Sequence, residues 1–381
     1  MLKRFTLAAF IAASLAPLAA QAGKLGDIDL SGYVLLETWV DRHDLRGKTA
    51  LPANQPYAFV LHNLELGGEK EIGGGQKVSW RLGHRNRNGN LGNSGATGSR
   101  EAWLGIEGEY GAVKVGRFLT KAWQVLDYPY GSAAWQAEPL AETGAADWVT
   151  VKAIRYTAPR MGGLELEATY DTGNQSNSAR AALFEGFARY SSGPLTFDFI
   201  AQRKVNAPLQ VGVGDFGGSD GGPDVKDGNR QGIWFAGMRW QMGGGFELLA
   251  AYKRNYWHAD GGAGDLPQWG GRPATSGVDL HNSRILLGLN YQTGKYSWNG
   301  AIQRVTEGHD SVRGNLDDGA WVIGGRVVYA VKDGVFLYAG VRHHRFSGKH
   351  TPLDAFPWQV QGDGSIAKAN TRIGVGAQVM F

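Results

Sequence analysis

The sequence predicts an all-β fold, a transmembrane 16-stranded antiparallel up-and-down β-barrel. Three observations predict it: the glycine content, the spacing of the connections, and the polarity of alternate residues within the strand-like segments. The chain has 381 residues, of which 58 are glycine and 13 proline, and 19% of it is charged. Ordered glycine costs backbone entropy, so a helical protein avoids that much of it, whereas sheets with tight turns use it. All-α folds are excluded.

Period-two runs bounded by Gly, Asn, Asp and Pro fall near 27–40, 57–70, 76–86, 99–108, 111–118, 149–158, 163–171 and 183–191. Eight more fall near 194–204, 230–241, 245–256, 281–292, 295–306, 318–331, 334–346 and 370–381. Short links such as Glu109-Tyr110-Gly111, Met242-Gly243-Gly244, Gln292-Thr293-Gly294 and Lys332-Asp333-Gly334 alternate with long ones at 41–56, 87–98, 119–148, 172–182, 205–229, 257–280, 307–317 and 347–369. In an up-and-down barrel, alternate connections lie at opposite ends, so this pattern puts the long loops on one rim and the short turns on the other.

Within the segments, Leu164, Leu166, Ala168 and Tyr170 share one face, against Glu165, Glu167, Thr169 and Asp171 on the other. Ile285, Leu287, Leu289 and Tyr291 likewise oppose Arg284, Leu286, Gly288 and Asn290. Sixteen strands enclose a lumen too wide to fill with side chains, so the polar face must line water and the apolar face must meet lipid. Trp234 with Trp240, and Trp321 with Tyr329, lie on one face of their segments. At ~3.3 Å per residue and ~40° tilt each pair spans roughly 15–20 Å of barrel height, which suits two interfacial girdles.

Residues 1–22 read as a cleaved export signal: Lys3 and Arg4, the apolar run Phe5 to Leu18, then Ala20-Gln21-Ala22. The apolar run is shorter than the ~20 residues a membrane-spanning helix needs. The barrel is then assigned to 23–381. Removing the signal takes two positive charges from Lys+Arg 39 against Asp+Glu 35, leaving 37 against 35. No excess remains to hold nucleic acid. Cysteine is absent, which excludes disulfides, thiolate metal sites and thiol catalysis.

Arg100-Glu101-Ala102-Trp103-Leu104-Gly105, the turn Glu109-Tyr110-Gly111 and Val113-Lys114-Val115-Gly116-Arg117 resemble the most recognisable segment of the Gram-negative trimeric general porins. Gly68-Glu69-Lys70-Glu71-Ile72-Gly73-Gly74-Gly75, Ile154-Arg155-Tyr156-Thr157-Ala158-Pro159 and Tyr338-Ala339-Gly340 resemble further pieces in the same order. Val375, Ala377, Val379 and the terminal Phe381 form the alternating last strand, which the barrel assembly machinery reads in that family. The resemblance implies a homotrimer in the outer membrane, in contact with lipid and lipopolysaccharide. It also implies a long third loop, 119–148, folded into the lumen as a constriction.

A pore selects by width, by field and by hydrogen bonding to its wall. Alternation aims Arg81, Lys114, Arg189, Lys204, Arg239, Lys253, Arg284, Arg326 and Arg372 at the lumen, against Glu165, Glu167, Glu185, Asp198 and Glu247. The resemblance adds Arg117, which strict alternation would turn outward unless Gly116 breaks the pattern. It places Asn63 where the family has a second arginine, with Lys152 near a third. It offers Asp127, Glu138, Glu142 and Asp147 as the acids of the infolded loop. Trp123, Tyr128, Tyr130, Trp135 and Trp148 give that loop rings that would either pin it or stack on a solute.

The expected function is passive diffusion of small hydrophilic solutes and ions with weak anion preference. The alternative is a pore selective for a sugar or an organic or aromatic acid. No cofactor is expected and no catalysis. Gly212-Val213-Gly214-Asp215-Phe216-Gly217 matches a dinucleotide fingerprint but lies in a loop without strand-to-helix context. Asp215, Asp220, Asp224 and Asp227 are the acids a calcium ion would take, without EF-hand spacing. His343 and His344 are adjacent and face opposite ways in a strand, and His309-Asp310-Ser311 is only a sequence, not a triad.

Overall fold

The computed structural model describes residues 23–25, 28–46, 56–88, 100–130, 140, 150–171, 181–207, 209, 227–260, 279–348 and 366–381. Sixteen long strands form the wall. They are β1 (Ile28–Arg46), β2 (Pro56–Gly73), β3 (Gln76–Asn88), β4 (Glu101–Gly108), β5 (Gly111–Leu119), β6 (Thr150–Thr157), β7 (Leu164–Asp171) and β8 (Ala182–Ser192). The second half is β9 (Leu195–Val205), β10 (Arg230–Gly243), β11 (Phe246–His258), β12 (Asp279–Thr293), β13 (Tyr296–Val305), β14 (Ala320–Lys332), β15 (Val335–Phe346) and β16 (Ile366–Met380). Each is antiparallel to the next, and β16 pairs with β1 from Ile366 opposite Arg46 to Met380 opposite Tyr33. The sheet therefore closes, and its ladder satisfies the wall's backbone groups, as a lipid surround requires.

Every segment read from the sequence is a strand. The largest differences are that β1 continues past residue 40 to Arg46 and β16 begins before 370, at Ile366. Those extensions pair with each other, so the closing seam, not local sequence, sets their length. The link between β13 and β14 holds a small hairpin, His309–Asp310 with Gly314–Asn315. Gly23–Leu25 adds a short strand on β1.

The short turns collect on one rim. Gly74 and Gly75 (φ +62° and +72°) and Gly244 and Gly245 (φ +60° and +85°) turn with positive φ at successive residues, which side chains resist and hairpins need. Phe381 completes the same rim, exchanging backbone hydrogen bonds with Gly32 at 2.8 and 3.0 Å.

Alternation holds around the wall. Leu64, Leu104, Val115, Ile154, Phe199, Trp234, Leu287, Trp298, Ile323 and Ile373 are exposed on the outside. No helix among the described residues is long and apolar enough to cross a membrane; the crossing is by strands. On the inside, one helix, α1 (Lys121–Asp127), follows β5 and buries Ala122, Trp123, Val125 and Leu126. With Tyr130 and Leu140 they form one buried cluster with inward-facing Leu183, Phe187, Ile200, Ile233, Phe235, Leu249 and Leu286 of β8 to β12.

Candidate functional site

The inner wall gathers the ionisable residues, and α1 is held against it by polar contacts at its N-terminal end and by Tyr130 beyond its C-terminal end. Thr120 caps the helix, its hydroxyl accepting from the Trp123 N–H at 3.0 Å. The N–H groups of Lys121 and Ala122 donate to the two carboxylate oxygens of Glu185 on β8 at 2.7 and 2.9 Å. Those are helix-end donors with no partner inside the helix. Gln202 donates to the same carboxylate at 2.8 Å, and the Arg155 guanidinium lies 3.4 Å from it. Arg155 also donates to the Leu119 carbonyl at 2.9 Å and stacks 4.5 Å over Phe118. The Lys121 ammonium pairs with Glu167 at 2.9 Å and Glu165 at 3.3 Å.

Beyond α1, Tyr130 is fully buried, edge-on to Phe235 with centroids 5.1 Å apart, and donates its hydroxyl proton to Asp198 at 3.0 Å. Gly237 faces that ring, and a Cβ there would strike it. Burial first, then the Asp198 charge, push the Tyr130 hydroxyl far above its ordinary pKa, so it stays a donor. The Lys253 ammonium on β11 donates to the Leu140 carbonyl at 2.6 Å.

A polar chain continues from this point around the wall. Arg189 donates to Asp198 at 2.6 Å, and Arg239 stands 3.8 Å from Asp198 and 3.9 Å from Glu247. Asn290 donates to Glu247 at 2.8 Å, Asn299 to Asn290 at 2.8 Å, and Arg326 reaches Asn299 at 3.5 Å. Arg326 lies 5.9 Å over Tyr338, whose hydroxyl donates to Glu37 on β1 at 2.5 Å. Farther round, Arg372 makes a two-pronged pair with Asp41 at 2.9 and 2.6 Å, while Arg81 lies 3.1 Å from Glu65 and 3.6 Å from Glu101. Lys114 sits 4.4 Å over the Trp103 ring. Near the long-loop rim, Lys253 stands directly opposite Arg284, and Arg342 directly opposite Arg372.

Arg81, Lys114, Arg239, Arg284, Arg326 and Arg372 thus lie on the inward face, with Glu165, Glu167, Glu185, Asp198 and Glu247. Arg117 does not. It stands opposite Ala102 and Lys152, in unbroken register with Val113 and Val115, while Phe118 is the residue buried inside. Gly116 has φ +132°, but a Cβ there would meet the Ala102 carbonyl and the Trp103 backbone. Its freedom serves close approach of β5 to β4, not a change of face.

Of the loop rings, Trp123 and Tyr130 are packed away at 4% and 0% exposure and have no free face for a solute, whereas Tyr128 is 72% exposed. Asp127 ends α1, partly exposed. Trp135, Glu138, Glu142, Asp147 and Trp148 lie outside the described residues, as do residues 1–22 and Asp215, Asp220 and Asp224. Among the described residues no group of three His, Cys, Asp or Glu is placed to hold a metal. His343 faces out to Thr371 at 2.8 Å, while His344 is buried within.

A family profile described as Gram-negative porin matches residues 6–349. The chain belongs to the Gram-negative porin family. Its place is the outer membrane. The porin is similar in fold to the anion-selective porin from Comamonas acidovorans, with TM-score 0.64 and 17% identity over 93% of this chain and 99% of that one. It is also similar to OmpT, an outer membrane protein of Vibrio cholerae, with TM-score 0.63 and 14% identity over 95% and 100%. In sequence it is 27% identical over 178 residues to a chitoporin of Vibrio furnissii, a match that spans 42% of this chain and 46% of the chitoporin.

Sequence reasoning missed Glu185 as the residue that receives α1, Asp198 as the partner of Tyr130, and Glu37 beneath Tyr338. A signal for the first was present. Leu183, Phe187, Ile200, Phe235 and Leu249 share the face of Glu185 and Asp198, and apolar residues facing a wet lumen need something to cover them.

Proposed function

We propose that this porin lets small hydrophilic solutes and ions diffuse through a lumen narrowed by the 119–148 loop, with weak anion preference, and that it works as a homotrimer. The observation that carries the anion preference is the pairing of like charges, Lys253 with Arg284 and Arg342 with Arg372, directly across neighbouring strands of the inner wall. Like charges placed opposite each other destabilise a sheet. All four are buried, Lys253 donates to the Leu140 carbonyl and Arg372 is paired with Asp41, so they favour a passing anion through the summed positive potential of the wall and not as free binding sites. The acids Asp198, Glu247 and Glu37 temper it, which is why the preference is weak.

The trimer rests on the outer surface. From β8 to β14 it carries exposed Phe184, Tyr190, Trp234, Trp240, Tyr252, Trp298 and Trp321. From β1 to β5 it is mainly aliphatic, with Leu64, Leu66, Leu82, Leu104, Ile106 and Val115. Among the described residues its rings are few, Tyr110 at the β4–β5 turn and half-buried Trp80 beside Leu104, and a face poor in aromatic girdles suits a neighbouring barrel better than a lipid interface.

The test is the reversal potential across planar bilayers in a potassium chloride gradient, which should carry the sign of anion preference. Clear cation selectivity overturns it. A second reading, a pore selective for sugars, is favoured by the exposed Tyr128 ring and by the chitoporin similarity. Chitin-derived oligomers blocking the current at concentrations where glucose does not would establish it.

A further inference from the structure

The outward face of the wall changes character near the long-loop rim. On β11 and β12, Tyr252 and Ile285 stand directly opposite each other, both exposed on the outside. Toward the rim the outward pairs become Arg254 with Ser283, Tyr256 with His281 and His258 with Asp279. The apolar band of a barrel ends where the hydrocarbon ends, and long loops reach the exterior, so these pairs stand above the membrane core on the outer side.

Two histidines meet there. His281 on β12 stands directly opposite His309 in the small hairpin of the 306–319 link. Their ring centroids are 5.0 Å apart and the planes are inclined by 36°. With zinc–nitrogen bonds of about 2.0–2.1 Å and a tetrahedral angle between them, two imidazoles on one ion have centroids about 5 Å apart. The rings already stand at that separation.

Their surroundings suit a cation. Nδ1 of His309 lies 3.3 Å from the Asn315 amide oxygen; an amide oxygen only accepts, so Nδ1 carries the proton and Nε2 keeps its lone pair. Asp279, two residues from His281 on the same face, is held by His258 at 2.7 Å and brings a carboxylate to offset exposed Arg254. Imidazole nitrogen selects zinc, copper or nickel over calcium and magnesium, which take oxygen.

We propose that His281 and His309 are the protein ligands of a divalent transition-metal site of the zinc class on the outer rim. Among the described residues no three His, Cys, Asp or Glu converge, so water completes the shell of the ion. One ligand belongs to the wall and the other to the hairpin. The ion therefore staples the hairpin, with exposed Val312 and Arg313 at its tip, to the barrel.

The test is Zn²⁺ titration of the untagged, folded porin in detergent by calorimetry, with pore conductance as the control for folding. Loss of a group that merely orients a ligand costs 10–100-fold in metal affinity, so His281→Asn and His309→Asn should each weaken binding at least about tenfold. His309→Phe, which keeps a ring against His281, should weaken it as much. The other outward pair, His62 with His84, has centroids 5.9 Å apart, and His62→Asn/His84→Asn should leave the affinity unchanged. The staple has its own readout in tryptic cleavage after Arg313. At free Zn²⁺ of about ten times Kd the opened hairpin is about tenfold rarer, so cleavage should slow by about that factor in the wild type and not in His281→Asn. Zinc affinity that survives His281→Asn or His309→Phe, or that disappears in the His62/His84 variant, overturns the site. Cleavage at one rate with and without Zn²⁺ overturns the staple.

Discussion

The inner wall has two unlike halves. Beneath α1, the inward positions of β8 to β12 hold Leu183, Phe187, Ile200, Ile233, Phe235, Leu249 and Leu286 among their charges. On the other side, from β14 through β16 and on to β4, the inward positions pair Arg372 with Asp41 and Arg81 with Glu65 and Glu101, while Glu37 accepts from Tyr338 and Arg326 reaches Asn299. The difference follows from what each half touches. A helix with Trp123, Val125 and Leu126 on one side cannot stand in water, so the wall it rests on must be apolar. A wall that meets the permeating solution must hold its charges in hydrogen-bonded pairs instead. Polarity of the lumen is therefore a local property, decided by whether a loop lies over it.

The strongest way to break that division is Glu185→Leu. It removes the acceptor of two α1 backbone N–H groups and leaves Arg155, buried beside it, without that carboxylate. Removing one member of a buried pair costs about 3–5 kcal/mol, enough to detach a single helix. The strand ladder does not pass through Glu185's side chain, so the barrel should stay folded while single-channel conductance rises and becomes noisy. Wild-type conductance in this variant would show that the apolar contacts alone hold α1.

A smaller effect is expected at the other end of the loop's anchorage. Tyr130→Phe keeps the ring on Phe235 and deletes the bond to Asp198. A hydrogen bond to a charged acceptor contributes about 1.5–3 kcal/mol, so current noise should increase without the full conductance change of Glu185→Leu. Because burial and Asp198 raise the folded-state value above the ordinary 10.0, the hydroxyl keeps its proton, and the wild-type bond its donor, below the unfolded value. It is lost only as pH rises through the elevated one. Noise recorded from neutral to mildly alkaline pH should stay flat in the wild type; a rise in that window would mean the hydroxyl is not buried.

Much of this was legible in the sequence, and the parts that were not share a cause. Alternation with the spacing of turns reads the sixteen strands and their faces, because both follow from a period of two and from glycine at positive φ. It puts Glu185, Asp198 and Arg239 inside without any further information. It does not say which of them meet, since Asp198 touches Tyr130 from a loop 68 residues away in sequence and Glu37 touches Tyr338 from the far end of the chain. It does not separate rings that stack on a solute from rings that pin a loop, because Trp123 and Tyr128 are alike in composition and differ only in what covers them. Where similarity to a family overrode alternation, at Arg117, alternation was the better guide.

That residue supplies the smallest expected effect and the sharpest check on the comparison. Arg117 shares the outward face of Val113 and Val115 and stands opposite Lys152, whereas Arg239, between Asp198 and Glu247, faces the solution. Arg239→Gln should move the reversal potential toward cations, because a charge inside a low-dielectric tube acts directly on the permeating ion. Arg117→Gln should leave it unmoved at ordinary salt, since the charge points away from the lumen and the salt in the pore screens fields over roughly 8–10 Å. If the Arg117 substitution shifted selectivity as far as the Arg239 one, β5 would have to turn over at Gly116, Phe118 would leave the apolar bed of α1, and the two halves of the lumen would not be divided where the strand register divides them.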